Sequence, residues 1–314
     1  MFGMIIVSNF IAVMSAYGIT YLSYDFIVSG IDTRQIHELT KLEPLFIFNI
    51  PKIIDNSVGL ICGIIFGIFT SGTSNDTLLS ISKKVADITN KFLKKIFVPI
   101  LPVFVLGFIL NLEASGALKN LFQNFLPLVL IIIVTHTIYL GFIYLVANNF
   151  NIEDVLTTIK NILPAIFIGF SAMSSAVALP LLTEGTIKNT KDPKLAKTII
   201  PTIINPHLLG DALAIPIMAL VLYFTNYNCL PDIYCYLVFA ITYTFSKFAS
   251  AGIPGGSIMI MIPVLESYLQ FTPEMSGLIF TIYLLLDPFC TSANLLGNNL
   301  FVIVFEKLWK KLTV

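Results

Sequence analysis

The chain has 314 residues and no net charge, and it is 56% hydrophobic with only 11% charged residues. Soluble domains average roughly 25% charged residues, so a water-soluble globular protein is excluded and an all-α multi-pass membrane protein is predicted. The 18 basic residues lie in short scattered groups rather than on one face, which excludes nucleic acid as a partner.

Six stretches are apolar and long enough to cross the roughly 30 Å of hydrocarbon in a bilayer. They lie at residues 3–29, 45–72, 96–112, 121–147, 195–225 and 276–305. The first stretch lacks the basic start of a signal peptide, so it is predicted to be a retained membrane span. Membrane lipid is therefore the expected environment of most of the chain.

Two further segments are too interrupted to span a membrane. Residues 161–183 place the serine-rich sequence SAMSSAVA between two short apolar arms, and residues 233–268 place SKFASAGIPGGS between two more. Irregular backbone at membrane depth is tolerated only where protein or water covers its polar groups. Both segments are therefore predicted to be re-entrant helical hairpins, and two such segments point to a binding site.

The distribution of lysines favours this topology, because cytoplasmic loops collect positive charge. With both hairpins re-entrant, the lysine-rich segments 73–95, 188–197 and 307–311 lie on one side of the membrane. The loops 226–232 and 270–275, which contain no lysine, then lie on the other side.

Asp287 is the most informative ionisable residue, since a charge within a span costs roughly 2.5 kcal/mol or more to insert. It lies in the middle of the last span, with Thr291 on the same helix face and Asn294 seven residues later. A carboxylate, a hydroxyl and an amide on one stripe could bind both charged groups of a small zwitterion. The alternative is a structural aspartate that neighbouring helices satisfy.

The span 195–225 is predicted to be broken, because Pro201, Pro206 and Gly210 loosen its helix around His207 and Asp211. The last two residues are four apart, so they are predicted to pair, either as a proton relay or as a structural pair. A metal site is a poorer explanation, because one histidine and one carboxylate are too few ligands.

The hairpin tips offer hydroxyl and backbone ligands. Ser171, Ser174 and Ser175 supply hydroxyls in the first tip, where half-helix amides also attract an anion. In the second tip, the glycines of residues 251–256 let the backbone approach a ligand closely.

Three other polar residues and two cysteines have plainer explanations. Lys247 and Glu266 are expected to be solvated ends of short helices rather than an ion pair, and His136 is expected to be a hydrogen-bonded core histidine. Cys229 and Cys235 are the only two cysteines close enough in sequence to pair.

Three motifs, SAMSSAVALP, FASAGIPGGSIMIM and DPFCTSANLLGNN, occur in this order. They resemble the first hairpin, the second hairpin tip and the last helix of the dicarboxylate/amino acid:cation symporter family, and the resemblance covers essentially residues 1–312. It implies an elevator-type homotrimer whose hairpin-bearing transport domain moves against a trimerising scaffold. The implied regions are scaffold helices in 1–72, an amphipathic linker helix and two spans in 73–150, and a transport core in 151–314. That core has its first hairpin at 161–183, the broken span at 195–225, the second hairpin at 233–268 and the last span at 276–312.

The resemblance also implies roles for single residues. Asp287 matches the aspartate that holds the substrate amino group, Asn294 the asparagine on the α-carboxylate, and Thr291 a threonine that contacts substrate. Cys290 stands where carriers of acidic substrates have an arginine, so an acidic side chain would be left unpaired in a desolvated pocket. A small neutral amino acid is therefore favoured over an acidic amino acid or a dicarboxylate. The substrate-site candidates are Asp287, Thr291, Asn294, Cys290, Ser174, Ser175, Ile253, Pro254 and Gly255.

The residues that would bind a coupling cation differ from those of the family. Asn298 replaces a cation-binding aspartate of the last helix, and the segment after Asn205 has no aspartate in register with the family's NMDGT motif. Sodium prefers charged oxygen clusters, so proton coupling through His207 and Asp211 is favoured over sodium coupling. The coupling candidates are His207, Asp211, Asn298 and Asn205, with no other cofactor.

The first span resembles the fourth helix of the family, so the resemblance implies that three helices are absent. The first residue could be an internal start, a separate chain could supply the three helices, or the chain could be a non-transporting remnant or subunit. An alternative of another class is an intramembrane hydrolase with Ser171 or Ser174 as nucleophile and His207 as base, although no third orienting group can be assigned. The leading hypothesis is a cation-coupled transporter, not an enzyme, in a bacterial inner membrane.

Overall fold

The computed structural model describes residues 1–23, 56–71, 76–92, 117–250 and 254–313, with Gly252 and a few isolated positions between 95 and 114. Within these residues the chain forms helices and contains no strand, so the all-α prediction is confirmed. The α-helices are α1 (Phe2–Leu22), α2 (Asn56–Ser71), α3 (Asp76–Phe92), α4 (Ala117–Ala147), α5 (Ile152–Ala172), α6 (Ser175–Asn189), α7 (Pro193–Ile203), α8 (Leu209–Tyr227), α9 (Ile233–Ser246), α10 (Gly256–Leu269) and α11 (Pro273–Thr313).

Five helices of the described part are long and apolar enough to cross a membrane. They are Phe2–Leu22, Leu126–Ala147, Ile152–Ala172, Leu209–Tyr227 and Pro273–Lys310. Large apolar side chains such as Val7 and Phe167 are exposed on these helices, which suits a hydrocarbon environment. More than half of the predicted span 96–112 falls outside the described residues, and of 45–72 only α2 is described.

The contacts divide the chain into two units, Met1–Thr33 with Phe122–Val314, and Arg34–Leu121. The second unit contains α2 and α3. An amphipathic linker helix is expected within 73–150, and α3 lies in this range, with Asp76 in its first turn and Lys91 in its last. These charges oppose the partial charges at the two helix ends. The candidate site described below lies wholly within the first unit.

The first hairpin is longer than predicted. Its first arm, α5, begins at Ile152 because Asn151 caps it by accepting from the backbone N–H groups of Glu153 and Asp154. Its first turns are polar, so hydropathy placed the start near residue 161. With 21 residues, α5 is long enough to span a membrane, and the prediction that both arms are too short for this was wrong.

The two arms of the first hairpin, α5 and α6, pack along each other. Asn161 Nδ2 donates to Asn189 Oδ1 at 2.7 Å, and Asn189 Nδ2 donates to the Thr158 carbonyl at 2.9 Å. A Cβ on Gly185 would lie 2.4 Å from the Asn161 carbonyl oxygen, so only glycine permits this approach of the backbones. Re-entry of the hairpin at membrane depth stays a prediction.

The second hairpin matches its predicted outline. Its arms, α9 and α10, have 14 residues each, which is short of the roughly 20 that a span requires. Cys235 Sγ donates to the Tyr268 carbonyl at 3.2 Å, which links the arms far from the tip. Cys229 and Cys235 are both free, so the pairing considered for them is not formed.

The predicted break in the helix is present, because the helix stops at Ile203 and resumes at Leu209. After the break, α8 is buried almost throughout its length. The helix α1 covers this region, since Asn9 Nδ2 donates to the Pro206 carbonyl at 2.7 Å. The hydroxyl of Tyr236 on α9 donates to the Val13 carbonyl of α1 at 2.6 Å. The break, the two hairpins and α11 therefore meet inside one packed unit.

Candidate functional site

The tips of the two hairpins touch each other. Ser174 Oγ in the first tip donates to the carbonyl of Gly252 in the second tip at 2.6 Å. A Cβ on Gly252 would lie 3.0 Å from Asn205 Oδ1 and 3.2 Å from the Ala176 nitrogen. A side chain at position 252 would therefore crowd both the first tip and the break before α8. Three elements that the sequence marks as irregular converge at this point.

The second tip also contacts the last helix. The backbone N–H of Gly255 donates to Asp287 Oδ2 at 2.8 Å, and Gly255 has φ 68°, a conformation that favours glycine. The side chain of Asp287 is only 3% exposed and lies at the tip rather than against lipid. Ile253 lies outside the described residues.

Two hydroxyl groups of its own helix also lie within hydrogen-bonding distance of Asp287. Thr291 Oγ1 lies 3.2 Å and the Tyr283 hydroxyl 3.3 Å from Asp287 Oδ1, which confirms that Asp287 and Thr291 share a face. No lysine, arginine or histidine of the described residues forms an ion pair with Asp287. This carboxylate is buried with hydroxyl and amide donors but without a cationic partner.

Asp211 is a second fully buried carboxylate beside the first. Its Oδ2 accepts from Ser257 Oγ at 2.5 Å and lies 3.5 Å from Lys247 Nζ. Its Oδ1 accepts from the Tyr283 hydroxyl at 2.9 Å, so Tyr283 lies between the carboxylates of Asp211 and Asp287. The two acids are therefore part of one polar cluster.

The predicted pairing of His207 with Asp211 was wrong. His207 Nδ1 lies 3.0 Å from Asn298 Oδ1, and its Nε2 lies 3.0 Å from Ser8 Oγ. The physical reason is the helix break, because His207 precedes Leu209 and so does not share a helical turn with Asp211. His136 is the core histidine that was expected, 6% exposed and 2.9 Å from the Gly210 carbonyl.

The expectation that Lys247 is a solvated helix end was also wrong. The side chain is 0% exposed, it pairs with Asp211, and its ammonium lies 5.0 Å from the centre of the Tyr243 ring. Glu266 Oε1 instead accepts from Ser276 Oγ at 3.1 Å. A lysine is buried in this way only when a partner compensates its charge.

Asn294 is oriented by the backbone of α8. Its Oδ1 accepts from the Asp211 N–H at 3.2 Å, which leaves its NH₂ group free to donate elsewhere. The close approach that allows this contact depends on Gly210, whose Cβ, if present, would lie 2.4 Å from the Cys290 carbonyl oxygen. Cys290 is 0% exposed.

A small cavity of about 10 Å³ lies where the tips meet α11, which is room for roughly one water molecule. Of the predicted substrate and coupling residues, Ser175, Asp287, Thr291, Asn294 and Asp211 line it. Met173, Leu208, Gly252, Ser257 and Tyr283 complete the lining. The other predicted residues that the structure describes are not among the lining residues: Cys290, Ser174, Pro254, Gly255, Asn205, His207 and Asn298.

Sequence reasoning missed Tyr283, Ser257 and Lys247. Tyr283 lies four residues before Asp287, so the spacing that identified Thr291 could also have found it. Ser257 and Lys247 flank the second tip, and no local pattern indicates that both reach the same carboxylate across the fold.

A family model described as the sodium:dicarboxylate symporter family matches residues 1–308. The chain belongs to this family. It is a family of transporters and not of enzymes, which confirms both the resemblance and the exclusion of catalysis. Excitatory amino acid transporter 5 of Homo sapiens is 27% identical over 160 residues, covering 51% of this chain and 28% of that relative. The Mus musculus protein of the same name is 26% identical over 160 residues with the same coverage, so the match spans little more than a quarter of each relative.

The contacts of Ser171 and Ser174 also argue against the hydrolase alternative, in agreement with a family of transporters. Ser174 Oγ donates to Gly252, and Ser171 Oγ donates to the Phe167 carbonyl at 2.9 Å. His207 bonds Ser8 and Asn298 instead of either serine. The hydrolase alternative requires a nucleophile in contact with a base, and neither serine has that contact.

Proposed function

We propose that the chain is a cation-coupled secondary transporter of a small neutral amino acid in the cytoplasmic membrane of a bacterium. The observation that supports it most strongly is Asp287, a buried carboxylate without a cationic partner among the described residues. It lies where two hairpin tips meet a polar helix stripe. A buried charge of this kind is stable only with a counter-charge or a proton. The ammonium group of an amino acid would supply the counter-charge.

The groups near Asp287 suit the α-carboxylate of an amino acid. Because Asn294 Oδ1 accepts from the α8 backbone, its NH₂ group is left to donate to an α-carboxylate. The hydroxyl of Thr291 and that of Ser175 line the same cavity. We assign the ammonium to Asp287 and the α-carboxylate to Asn294, with Thr291 beside both.

The charges around the cavity favour a neutral side chain. Lys247 is already paired with Asp211, and none of the residues that line the cavity is a cation that could bind a second substrate carboxylate. A dicarboxylate without an ammonium would bring two negative charges toward the uncompensated carboxylate of Asp287, and like charges in a desolvated site repel strongly. Acidic amino acids and dicarboxylates are therefore the disfavoured alternatives.

Binding requires the tips to separate. The cavity of about 10 Å³ admits no amino acid, and the Ser174–Gly252 contact closes it between the hairpins. We propose that this is a closed arrangement, that the tips open to admit substrate, and that the family's elevator motion and homotrimer apply here. The scaffold would then include helices of 1–72, or helices from a separate chain.

The proton remains the proposed coupling cation, now with His207 alone as its site. Asn298 Oδ1 can only accept, so His207 Nδ1 carries a hydrogen in either charge state. The Ser8 hydroxyl can donate to a neutral ring or accept from a charged one. Asn205 and Asn298 provide amide oxygens but no carboxylate, which is a weak set for sodium.

Purified protein in proteoliposomes loaded with single unlabelled amino acids tests this function. We expect counterflow of a small neutral amino acid, and net uptake that is driven by an inward proton gradient and is indifferent to sodium. His207→Gln should keep counterflow and lose the response to the proton gradient, whereas the control His136→Gln, also a buried histidine, should keep both. Uptake that needs sodium and ignores pH would overturn the proton proposal. Absence of counterflow with every amino acid would favour a non-transporting subunit or remnant.

A further inference from the structure

Lys247 is the one buried cation of the polar cluster, as far as the described residues extend. Two carboxylates, Asp211 and Asp287, and one ammonium share an interior from which water is almost excluded. The ammonium lies beside Asp211 and leaves Asp287 without an ion pair. Charge compensation is therefore uneven, because Lys247 compensates the charge of Asp211 and no cation of the described residues compensates that of Asp287.

The surroundings of the Lys247 ammonium resemble a cation site built from one carboxylate and its neighbours. Asp211 Oδ2 faces it at 3.5 Å, and the face of the Tyr243 ring lies 5.0 Å away. The Tyr243 hydroxyl in turn donates to the Asp211 carbonyl at 2.8 Å, which fixes the ring against α8. A charge held between a carboxylate and an aromatic face is the arrangement that a small monovalent cation would also occupy.

Asp211 also joins the two sides of the second tip. Lys247 precedes the tip and Ser257 follows it, yet both contact the same oxygen, Asp211 Oδ2. The residues of the tip between them include Gly255, whose N–H contacts Asp287. Asp211 therefore holds together the two residues that flank the second tip, Lys247 and Ser257, while Asp287 contacts Gly255 within the tip.

We propose that Lys247 is a tethered cation, which permanently neutralises Asp211 and makes an exchangeable cation at that carboxylate unnecessary. This role rests on the proposed function in one respect. Asp287, the carboxylate without an ion pair, is then the group that binds a substrate ammonium. It predicts that wild-type protein needs no sodium at this position. Removing the ammonium while Asp211 stays should create a site for a free monovalent cation.

The test compares Lys247→Gln with the double variant Lys247→Gln/Asp211→Asn, which removes both charges. Lys160→Gln is the matched control, since Lys160 is an exposed lysine on an arm of the other hairpin. Two properties of the purified proteins are measured in choline, sodium and methylammonium chloride at equal ionic strength. They are the unfolding temperature without substrate and the rate of amino acid counterflow.

We expect the unfolding temperatures of wild type and Lys160→Gln to be the same in all three salts. Lys247→Gln should have its lowest unfolding temperature in choline and regain several degrees with sodium or methylammonium. Its counterflow in choline should fall about tenfold or more and recover in the same salts, because an unpaired buried charge is costly. The double variant should be insensitive to the salt and more stable in choline than Lys247→Gln.

The proposal is overturned if Lys247→Gln behaves as wild type in choline, or if no cation raises its stability while the double variant is no better. Failure of both variants to fold would likewise overturn it, because Lys247 would then act by shape rather than by charge. If the wild type shows no counterflow, the proposed function fails. The salt dependence of unfolding still decides the role of Lys247 in that case.

Discussion

Replacing Asp287 by asparagine is expected to weaken binding of an amino acid by about 2–5 kcal/mol, the cost of removing one partner from a buried charge pair. This corresponds to a loss of affinity of roughly thirtyfold to several thousandfold. Asparagine keeps the shape of the side chain and can still accept from the Gly255 N–H through its Oδ1. The loss should therefore reflect the missing charge, and it can be measured by isothermal titration of the purified variant.

The control for this variant is Asp154→Asn, because Asp154 is an exposed aspartate in the first turn of α5. It should bind the amino acid with wild-type affinity. A des-amino analogue of the substrate should bind neither wild type nor Asp287→Asn strongly, since it has no ammonium for the carboxylate. If Asp287→Asn binds the amino acid with wild-type affinity, Asp287 does not bind the substrate ammonium.

Replacing Gly210 by alanine is expected to lower both stability and substrate binding. The added Cβ would lie 2.4 Å from the Cys290 carbonyl oxygen and 2.8 Å from Ala293 Cβ, and a backbone atom cannot rotate away. Overpacking of this kind costs about 1–3 kcal/mol and occasionally more. Moving α8 away from α11 should also break the Asp211–Asn294 contact, so substrate binding should be lost together with stability.

The matched control is Gly141→Ala on α4, where a Cβ would meet nothing within 4 Å. Alanine is favoured over glycine inside a helix by roughly 1 kcal/mol, so this variant should be as stable as wild type or slightly more stable. Unfolding temperatures in one detergent compare the two variants. An unchanged unfolding temperature in Gly210→Ala would contradict the close packing of α8 on α11.

The stripe on the last helix could be predicted from sequence, because residues four apart on one helix must face the same way. Asp287 and Thr291 needed no knowledge of any other element, and the same rule would have found Tyr283. The hairpin tips were also predictable, since clustered serine, glycine and proline mark breaks in an apolar sequence. These patterns depend only on residues close together in the sequence, so they do not depend on how the helices pack.

The failures came from contacts that no local pattern encodes. Lys247 looked like a solvated helix end, because its partner Asp211 lies on another helix and burial depends on how the helices pack. His207 and Asp211 have helical spacing in the sequence, but the break at 204–208 removes the helix that the spacing assumes. The start of α5 was misplaced because a cap, and not hydropathy, determines where that helix begins.

The central claim is that an amino acid binds where both hairpin tips meet α11, with its ammonium on Asp287. A cryo-electron microscopy map of the protein in lipid nanodiscs, with the amino acid that shows counterflow, tests it most directly. We predict density for the ligand between the tips and α11, with its nitrogen within hydrogen-bonding distance of the Asp287 carboxylate. Ligand density elsewhere, or an Asp287 side chain that faces lipid while both hairpins cross the bilayer completely, would contradict it.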